Sequence, residues 1–206
     1  DSDRLITGQH SDDQLETFLL ALKRGSGPKG LSSMAQVMPF GVGAILRPLL
    51  TASREQIENY AVEHGLDWIE DESNLNQRFD RNFIRHQITP QLKQRWPNIH
   101  HAVQRSAALC AEQEQLLKEL LRPQFERACQ PDGSLSIVVL TSVSRLAAYQ
   151  LIRQWLACFG LPMPSQAREW RVDLCPSPLG LFPRGMGCLG WAGNAWGFLK
   201  FPLMQK

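Results

Sequence analysis

The sequence predicts an α/β protein, in which the C-terminal part of a parallel-sheet domain is followed by a mainly helical domain. Two strand-then-helix steps near the start predict the sheet, because strands that alternate with amphipathic helices favour parallel pairing. From Arg81 onward apolar residues recur at helical spacing, which predicts the second domain. We therefore place the domains at residues 1–80 and 81–167, and leave an atypical tail, residues 168–206, unassigned.

The first step begins with a strand end at residues 4–7, followed by a turn and a helix from Asp12 to Arg24. Residues 25–30 are rich in glycine and contain Pro28, so we expect a loop there. Because this strand opens the sequence without an earlier strand to pair with, we expect the natural protein to extend upstream.

The second step is a strand at residues 44–46 and a helix that ends at His64, before Gly65. Ser53 and Gln56 have the spacing of a capping box at the start of this helix. Ligands of parallel sheets gather at the carboxyl ends of the strands, so we expect His10 and Asp12 at a ligand site.

In the second part, the sequence predicts a helix over residues 98–122 after a break at Trp96-Pro97. A strand over residues 135–140 and a helix over residues 142–159 follow. From about Arg168, Gly, Pro and Trp become dense and no period persists, so no fold is predicted for the tail.

The composition limits the class of protein. Hydrophobic residues make up 43% of the chain, and no apolar run approaches the roughly 20 residues of a membrane-spanning helix, so we expect a soluble protein without a membrane partner. The five cysteines are scattered without C-x-x-C spacing, which favours a cytoplasmic location and argues against a local zinc site. A net charge of +2 does not name a partner.

The first helix carries the most informative block of the sequence, residues 10–17. Helical spacing groups its polar side chains on one face, which we expect to point away from the core: Asp12, Asp13, Glu16 and Thr17. The opposite, core-facing group is Leu15, Phe18, Leu19 and Leu22. Such acids also suit an ordinary surface helix, but a histidine before them and a glycine-rich loop after them favour a site. Its carboxylates are suited to Mg²⁺ or a substrate ammonium, and the loop amides to an anion.

Five segments in order resemble the signature of the tRNA(Ile)-lysidine synthetase family over residues 1 to about 167. The segments are His10 to Thr17, Arg24-Gly25-Ser26-Gly27 with Gly30-Leu31, Arg47-Pro48-Leu49-Leu50, Trp68 to Asn74, and Asp80 to Arg85.

The resemblance implies an N-type ATP pyrophosphatase fold, the PP-loop or adenine nucleotide alpha hydrolase-like fold. It also implies a cytoplasmic, ATP-dependent ligase, commonly a homodimer, with ATP and Mg²⁺ as cofactors. Its partners would be free lysine and tRNA(Ile) with a CAU anticodon. By the same resemblance, the wobble cytidine would be adenylylated and the ε-amine of lysine would displace AMP. The family's S-G-G-x-D-S phosphate loop is absent from this sequence, so we expect the fragment alone to be inactive.

Residue roles carried over from the resemblance fall into four groups. The residues expected to border the nucleotide are His10, Arg24, Gly25, Ser26 and Gly27. Those expected to bind substrate are Asp13, Glu16, Arg81 and Arg85. Those expected to act in catalysis are Asp12, Asp13, Glu16 and Arg85, with Asp12 and Asp13 as Mg²⁺ ligands. The division of roles between the two arginines stays open, as does the role of residues 70–74.

Alternatives remain at this point. Arg81 and Arg85 have the spacing of a pair on a solvated helix face. Outside the ligase family, a metal-dependent phosphohydrolase would use His10, Asp12 and Asp13, and a non-catalytic RNA-binding module would need no nucleotide site. In the helical part, the basic residues expected to bind tRNA phosphates are Arg85, Lys93, Arg95 and Arg105. The histidines expected to be structural are His64, His86, His100 and His101.

Overall fold

The structure is a computed structural model that describes residues 3–69, 71–159 and 198–199. The chain divides into two compact units, residues 1–116 and 117–206. The predicted domain boundaries near residues 80 and 167 stay predictions, and most of the predicted tail lies outside the described residues. In the described part, no helix combines the length and the apolar character needed to cross a membrane.

The first unit contains a three-stranded sheet of β1 (Arg4–Ile6), β2 (Val37–Phe40) and β3 (Gly43–Leu46), in the order β1-β3-β2. β1 and β3 pair in parallel, which confirms the predicted arrangement. β2 pairs antiparallel with β3 and was not predicted. Pro39 obscures the strand in the sequence, because proline has no N–H to donate and argues against a central strand. β2 accommodates it because it lies at the edge of the sheet.

Three helices follow these strands: α1 (Ser11–Lys23), α2 (Pro28–Leu31) and α3 (Arg54–Glu63). α1 and α3 confirm the predicted helices, and α3 begins with the predicted Ser53–Gln56 capping box. The expectation of a loop throughout residues 25–30 is wrong, because α2 begins there. Proline fits the first turn of a helix, where its missing N–H has no partner to lose.

A short 3₁₀ helix (Glu72–Leu75) leads to a helical run of α4 (Asp80–Phe83), a π-helical stretch (Ile84–Ile88) and α5 (Thr89–Arg95). Pro90 explains the π-helical stretch, because its ring clashes with the carbonyl group four residues earlier and it has no N–H to donate. The run ends at the predicted break before Pro97.

The last elements are α6 (Ile99–Ala128), β4 (Leu135–Ser136), α7 (Ile137–Ser142), α8 (Arg145–Cys158) and β5 (Phe198–Leu199), which pairs with β4. The predicted end of α6 at Arg122 is wrong: the helix passes Pro123, and Phe125 and Ala128 beyond it pack in the second unit's core. The strand predicted over residues 135–140 is also wrong beyond Ser136. A β-branched run there favours a strand, but the chain forms α7 and buries Leu140.

The second unit has its own apolar core, in which α8 packs against α7, β4 and the end of α6. Trp155 is the largest side chain in this core, and its indole Nε1 donates a hydrogen bond to the Gly133 carbonyl oxygen at 2.9 Å. The buried indole therefore has a partner for its polar atom, as buried tryptophan usually does.

The two ends of α1 differ in burial. Leu15 is 0% exposed, whereas Leu22, which was predicted to face the core, is 57% exposed. Phe18 and Leu19 are half-buried.

Leu15→Ala should lower the free energy of unfolding by about 2–5 kcal/mol, because it leaves a cavity in a closed core. Leu22→Ala, the same change on the same helix, should alter it by less than about 0.5 kcal/mol, because that side chain is exposed. Urea denaturation of the two variants measures both values. Equal losses would show that the orientation of α1 is wrong.

Candidate functional site

The first two turns of α1 are buried, although they are rich in polar side chains. The buried residues are Ser11, Asp12, Asp13, Gln14, Leu15 and Glu16. The prediction that the acids point away from the core is therefore wrong. The reason is that segments much later in the chain supply partners for these acids, and helical periodicity carries no information about such partners.

Glu16 and Arg85 form the centre of the site. Arg85 Nε donates to Glu16 Oε1 at 2.7 Å and Nη2 to Glu16 Oε2 at 2.9 Å, a two-point pairing of fork and carboxylate. Arg85 Nη2 also donates to Asp13 Oδ1 at 3.1 Å. The hydrogen bond to Glu16 outweighs burial and raises the pKa of Arg85. The Glu16 side chain is 1% exposed, so the two-point pairing with Arg85 replaces the water that this side chain has lost.

The π-helical stretch carries Arg85, and the segment before α4 holds that stretch in place. Arg85 Nη1 donates to Asn74 Oδ1 at 3.3 Å, and His86 Nε2 lies 2.8 Å from the Asn74 carbonyl oxygen. Asn82 Nδ2 donates to the carbonyl oxygens of Ser73 and Asn76, both at 2.9 Å. Residues 73–76 therefore anchor the arginine-bearing turn.

Arg81 approaches the same glutamate from a more open position. Its Nη2 donates to Thr17 Oγ1 at 2.7 Å, and its Nε lies 3.6 Å from Glu16 Oε2. Arg81 is 42% exposed and Arg85 is 20% exposed. Arg81 and Arg85 are therefore not a pair on a solvated helix face, because both side chains turn towards α1.

The amino end of α1 brings His10 against the two aspartates. The His10 amide donates to Asp13 Oδ2 at 3.1 Å, and the ring Nε2 lies 3.4 Å from the same oxygen. The ring Nδ1 lies 3.8 Å from Asp12 Oδ2. His10, Asp12 and Asp13 are thus brought together after β1, at the predicted carboxyl end of a parallel strand.

Asp12 binds groups from three other segments. The Arg54 amide donates to its Oδ2 at 3.0 Å, Lys93 Nζ donates to its Oδ1, and His100 Nε2 lies 3.4 Å from Oδ1. Burial acts to raise the pKa of Asp12, but the bonds from Arg54 and Lys93 outweigh it and hold the pKa below its usual value. The carboxylate therefore stays charged.

Sequence reasoning did not predict Lys93 and His100 as site residues. His100 was expected to be an ordinary structural histidine, and Lys93 was expected to bind phosphate. Neither belongs to a recognisable motif. Only the fold, which places α5 and α6 beside the start of α1, brings them to Asp12.

The predicted nucleotide residues at positions 24–27 lie at the other end of α1, roughly 18 Å along the helix axis from Asp13 at 1.5 Å per residue. The amides of Arg24, Gly25 and Ser26 donate to carbonyl groups of α1's last turns, at 3.3, 2.9 and 3.0 Å. They close the helix end, where Gly25 adopts a φ of +66°. The structure does not bring this loop to His10, and its role in binding nucleotide stays a prediction.

Mg²⁺ binding by the predicted pair of ligands, Asp12 and Asp13, stays a prediction. Each of their four carboxylate oxygens already accepts a hydrogen bond, from Lys93, the Arg54 amide, Arg85 or the His10 amide. Over residues 3–69 and 71–159, no group of three or more His, Cys, Asp or Glu side chains is arranged to hold a metal ion.

A family model described as the PP-loop domain matches residues 1–92. Residues 1–92 are therefore similar to that family, and we refer to them as the PP-loop domain. The match covers β1 to β3, α1 and both site arginines, so the acidic turn of α1 and Arg85 both lie in the matched region. It also identifies the fold class of this part as α/β, as predicted. Lys93 and His100 follow the PP-loop domain in the chain.

Relatives cover most of the chain beyond the PP-loop domain. The tRNA(Ile)-lysidine synthase of Vibrio campbellii is 64% identical over 166 residues, 81% of this chain and 37% of the relative. The enzymes of the same name from Vibrio cholerae and Edwardsiella ictaluri are 58% and 56% identical over 168 residues, 82% of this chain and 38% of each relative. The resemblance to lysidine synthetases is confirmed, and the chain spans under two-fifths of these relatives' length.

Glu16→Gln should destabilise the PP-loop domain by about 3–5 kcal/mol, because it leaves the Arg85 charge buried beside a neutral amide. Arg81→Met, which removes the more exposed partner of the same glutamate, should cost about 1 kcal/mol or less. Guanidinium chloride denaturation compares the two. A Glu16→Gln protein as stable as the parent would show that the buried pair does not hold α1 in place.

Stability should depend on pH through His100. Burial lowers the pKa of His100 below its usual 6.5, although Asp12 opposes the shift. Below that value the unfolded chain binds a proton that the folded chain does not, so the free energy of unfolding should fall as pH drops below 6.5. His100→Gln should flatten this dependence.

The control is His64→Gln, at an exposed position at the end of α3, which should keep the parent's pH profile. Thermal unfolding at a series of pH values measures all three proteins. A profile that His100→Gln leaves unchanged would contradict the assignment.

Proposed function

We propose that the full-length protein that carries this chain is a tRNA(Ile)-lysidine synthase. The observation that carries the proposal is the 56–64% identity to enzymes of that name over about four-fifths of the chain. The buried acidic turn of α1 and its two arginines supply a site whose chemistry suits the substrate, because lysine carries an ammonium group and a carboxylate.

The proposed reaction has two steps. ATP transfers its AMP group to the wobble cytidine of tRNA(Ile) with a CAU anticodon, and diphosphate leaves. The ε-amine of free lysine then attacks the activated base, a carbon–nitrogen bond forms, and AMP leaves. The PP-loop domain supports the use of ATP. The amides of residues 24–26 are occupied within α1, so we assign the triphosphate to no described residue.

The charges of the cluster support a division of roles between the arginines. Arg85 already uses four of its five N–H groups on Glu16, Asp13 and Asn74, so we propose that it positions the carboxylates. Arg81 is more exposed and makes fewer bonds, so we propose that it binds the lysine carboxylate or a phosphate. Asp13 would then face the substrate ammonium, and the buried Glu16 would hold Arg85 beside it.

Other parts of the proposal rest on the resemblance alone. Arg95 and Arg105 are exposed and remain candidates for phosphate contacts with tRNA, whereas Arg85 and Lys93 are engaged with α1. The homodimer and the cytoplasmic location stay predictions. The ligase is favoured over a metal-dependent phosphohydrolase because the similar enzymes are tRNA(Ile)-lysidine synthases.

In the full-length protein, Asp13→Asn and Arg85→Lys should each lower the kcat/KM for lysine incorporation by about 100-fold. The first removes a charge that faces the ammonium, and the second loses the two-point bond that orients Glu16. Transfer of radiolabelled lysine to a tRNA(Ile) transcript with ATP measures both.

Asp80→Asn is the matched control, since it removes a carboxylate whose partner, Lys23, is exposed, and its activity should equal the parent's. A parent protein that ligates no lysine would overturn the proposed function. Full activity in Asp13→Asn and Arg85→Lys would instead place the site elsewhere.

A further inference from the structure

Asp12 is a meeting point for four parts of the chain. It lies in the first turn of α1, its Oδ2 accepts a hydrogen bond from the amide of Arg54, the first residue of α3, and its Oδ1 meets Lys93 of α5 and His100 of α6. The last two residues follow the PP-loop domain, which ends at residue 92. The last residues of α5 and the start of α6, which follow residue 92, therefore contact the helix that carries the candidate site.

The contacts of Asp12 with α3, α5 and α6 lie next to Asp13. Asp12 and Asp13 are neighbours, and His10 lies beside both carboxylates, 3.8 Å from Asp12 and 3.4 Å from Asp13. A rotation of Asp12 away from α5 therefore changes the surroundings of His10 and of Asp13 together. Arg85 holds the other side of Asp13, so the aspartate lies between two fixed points.

Charge explains why Lys93 matters for this geometry. Asp12, Asp13 and Glu16 place three buried carboxylates on two turns of one helix. Arg81 and Arg85 both pair with Glu16, and Arg85 also pairs with Asp13. In the described part of the chain, the Lys or Arg side chain that pairs with Asp12 is that of Lys93. Without Lys93, the buried Asp12 carboxylate keeps the His100 imidazole and the Arg54 amide as neighbours, and its negative charge lies beside Asp13.

We infer that Lys93 and His100 are positioning residues for lysine ligation: they hold Asp12 against α5 and α6 and so orient the first turn of α1, which carries Asp13. The inference rests on the proposed function. It extends the site beyond residue 92 to the end of α5 and the start of α6. Lys93 is 38% exposed, so its loss affects geometry more than folding.

The test is steady-state kinetics of lysine incorporation by the full-length protein, with KM measured separately for lysine and for ATP. Lys93→Met should raise the KM for lysine about tenfold, and leave the KM for ATP within about twofold, because Asp13 faces the amino acid. His100→Gln should also raise the KM for lysine. Lys93→Arg, which restores a cation, should recover most of the loss.

Lys23→Met is the matched control, because it removes a lysine from an exposed ion pair, with Asp80, at the far end of α1. Its constants should equal the parent's. A combined variant separates positioning from direct contact: if Lys93 acts through Asp12, Lys93→Met should add no further loss in an Asp12→Asn background.

The outcomes are distinct. An active parent with an unchanged KM for lysine in Lys93→Met overturns this inference and leaves the proposed function standing. Losses that multiply in the combined variant also overturn it, because Lys93 would then act independently of Asp12. A parent that ligates no lysine overturns the proposed function, and this inference with it. Circular dichroism of each variant shows whether a loss reflects unfolding.

Discussion

The buried ion pair between Glu16 and Arg85 determines how α1 lies in its unit. A carboxylate removed from water is strongly unfavourable unless a cation and hydrogen bonds replace the solvent. Glu16 therefore requires the guanidinium, and the guanidinium requires the π-helical stretch that carries it. Leu15, next to Glu16, enters the core as a result, and the opposite end of the helix remains open to solvent.

A second constraint acts at the amino end of the same helix. Asp12 connects α1 to α3, α5 and α6, while Arg85 connects it to the turn before α5. The two carboxylate anchors are separated by one helical turn, so the segment between them has little freedom to rotate. Asp13 lies in that segment, in contact with both His10 and Arg85. The rigidity of this residue is therefore a property of several segments that are distant in sequence.

Local signals in the sequence were sufficient to predict α1, α3 and the parallel pairing of β1 with β3, because caps and short-range periodicity specify them. The motifs also identified His10, Asp13, Glu16 and Arg85, which the fold brings together. The solvent-facing orientation of the acids was wrong, because their partners lie 69 and 81 residues later in the chain. β2 and α7 were missed for local reasons: a proline hid the strand, and β-branched residues imitated one.

The balance of charge around α1 affects how a small cation reaches it. Three acids face three basic side chains, so their fields largely cancel beyond the Debye length of about 8 Å at physiological ionic strength. A region with balanced charge neither attracts a charged ligand from a distance nor concentrates counter-ions around it. Ligand binding in this region then depends on the fit of the ligand once it has arrived, and added salt has little influence on it.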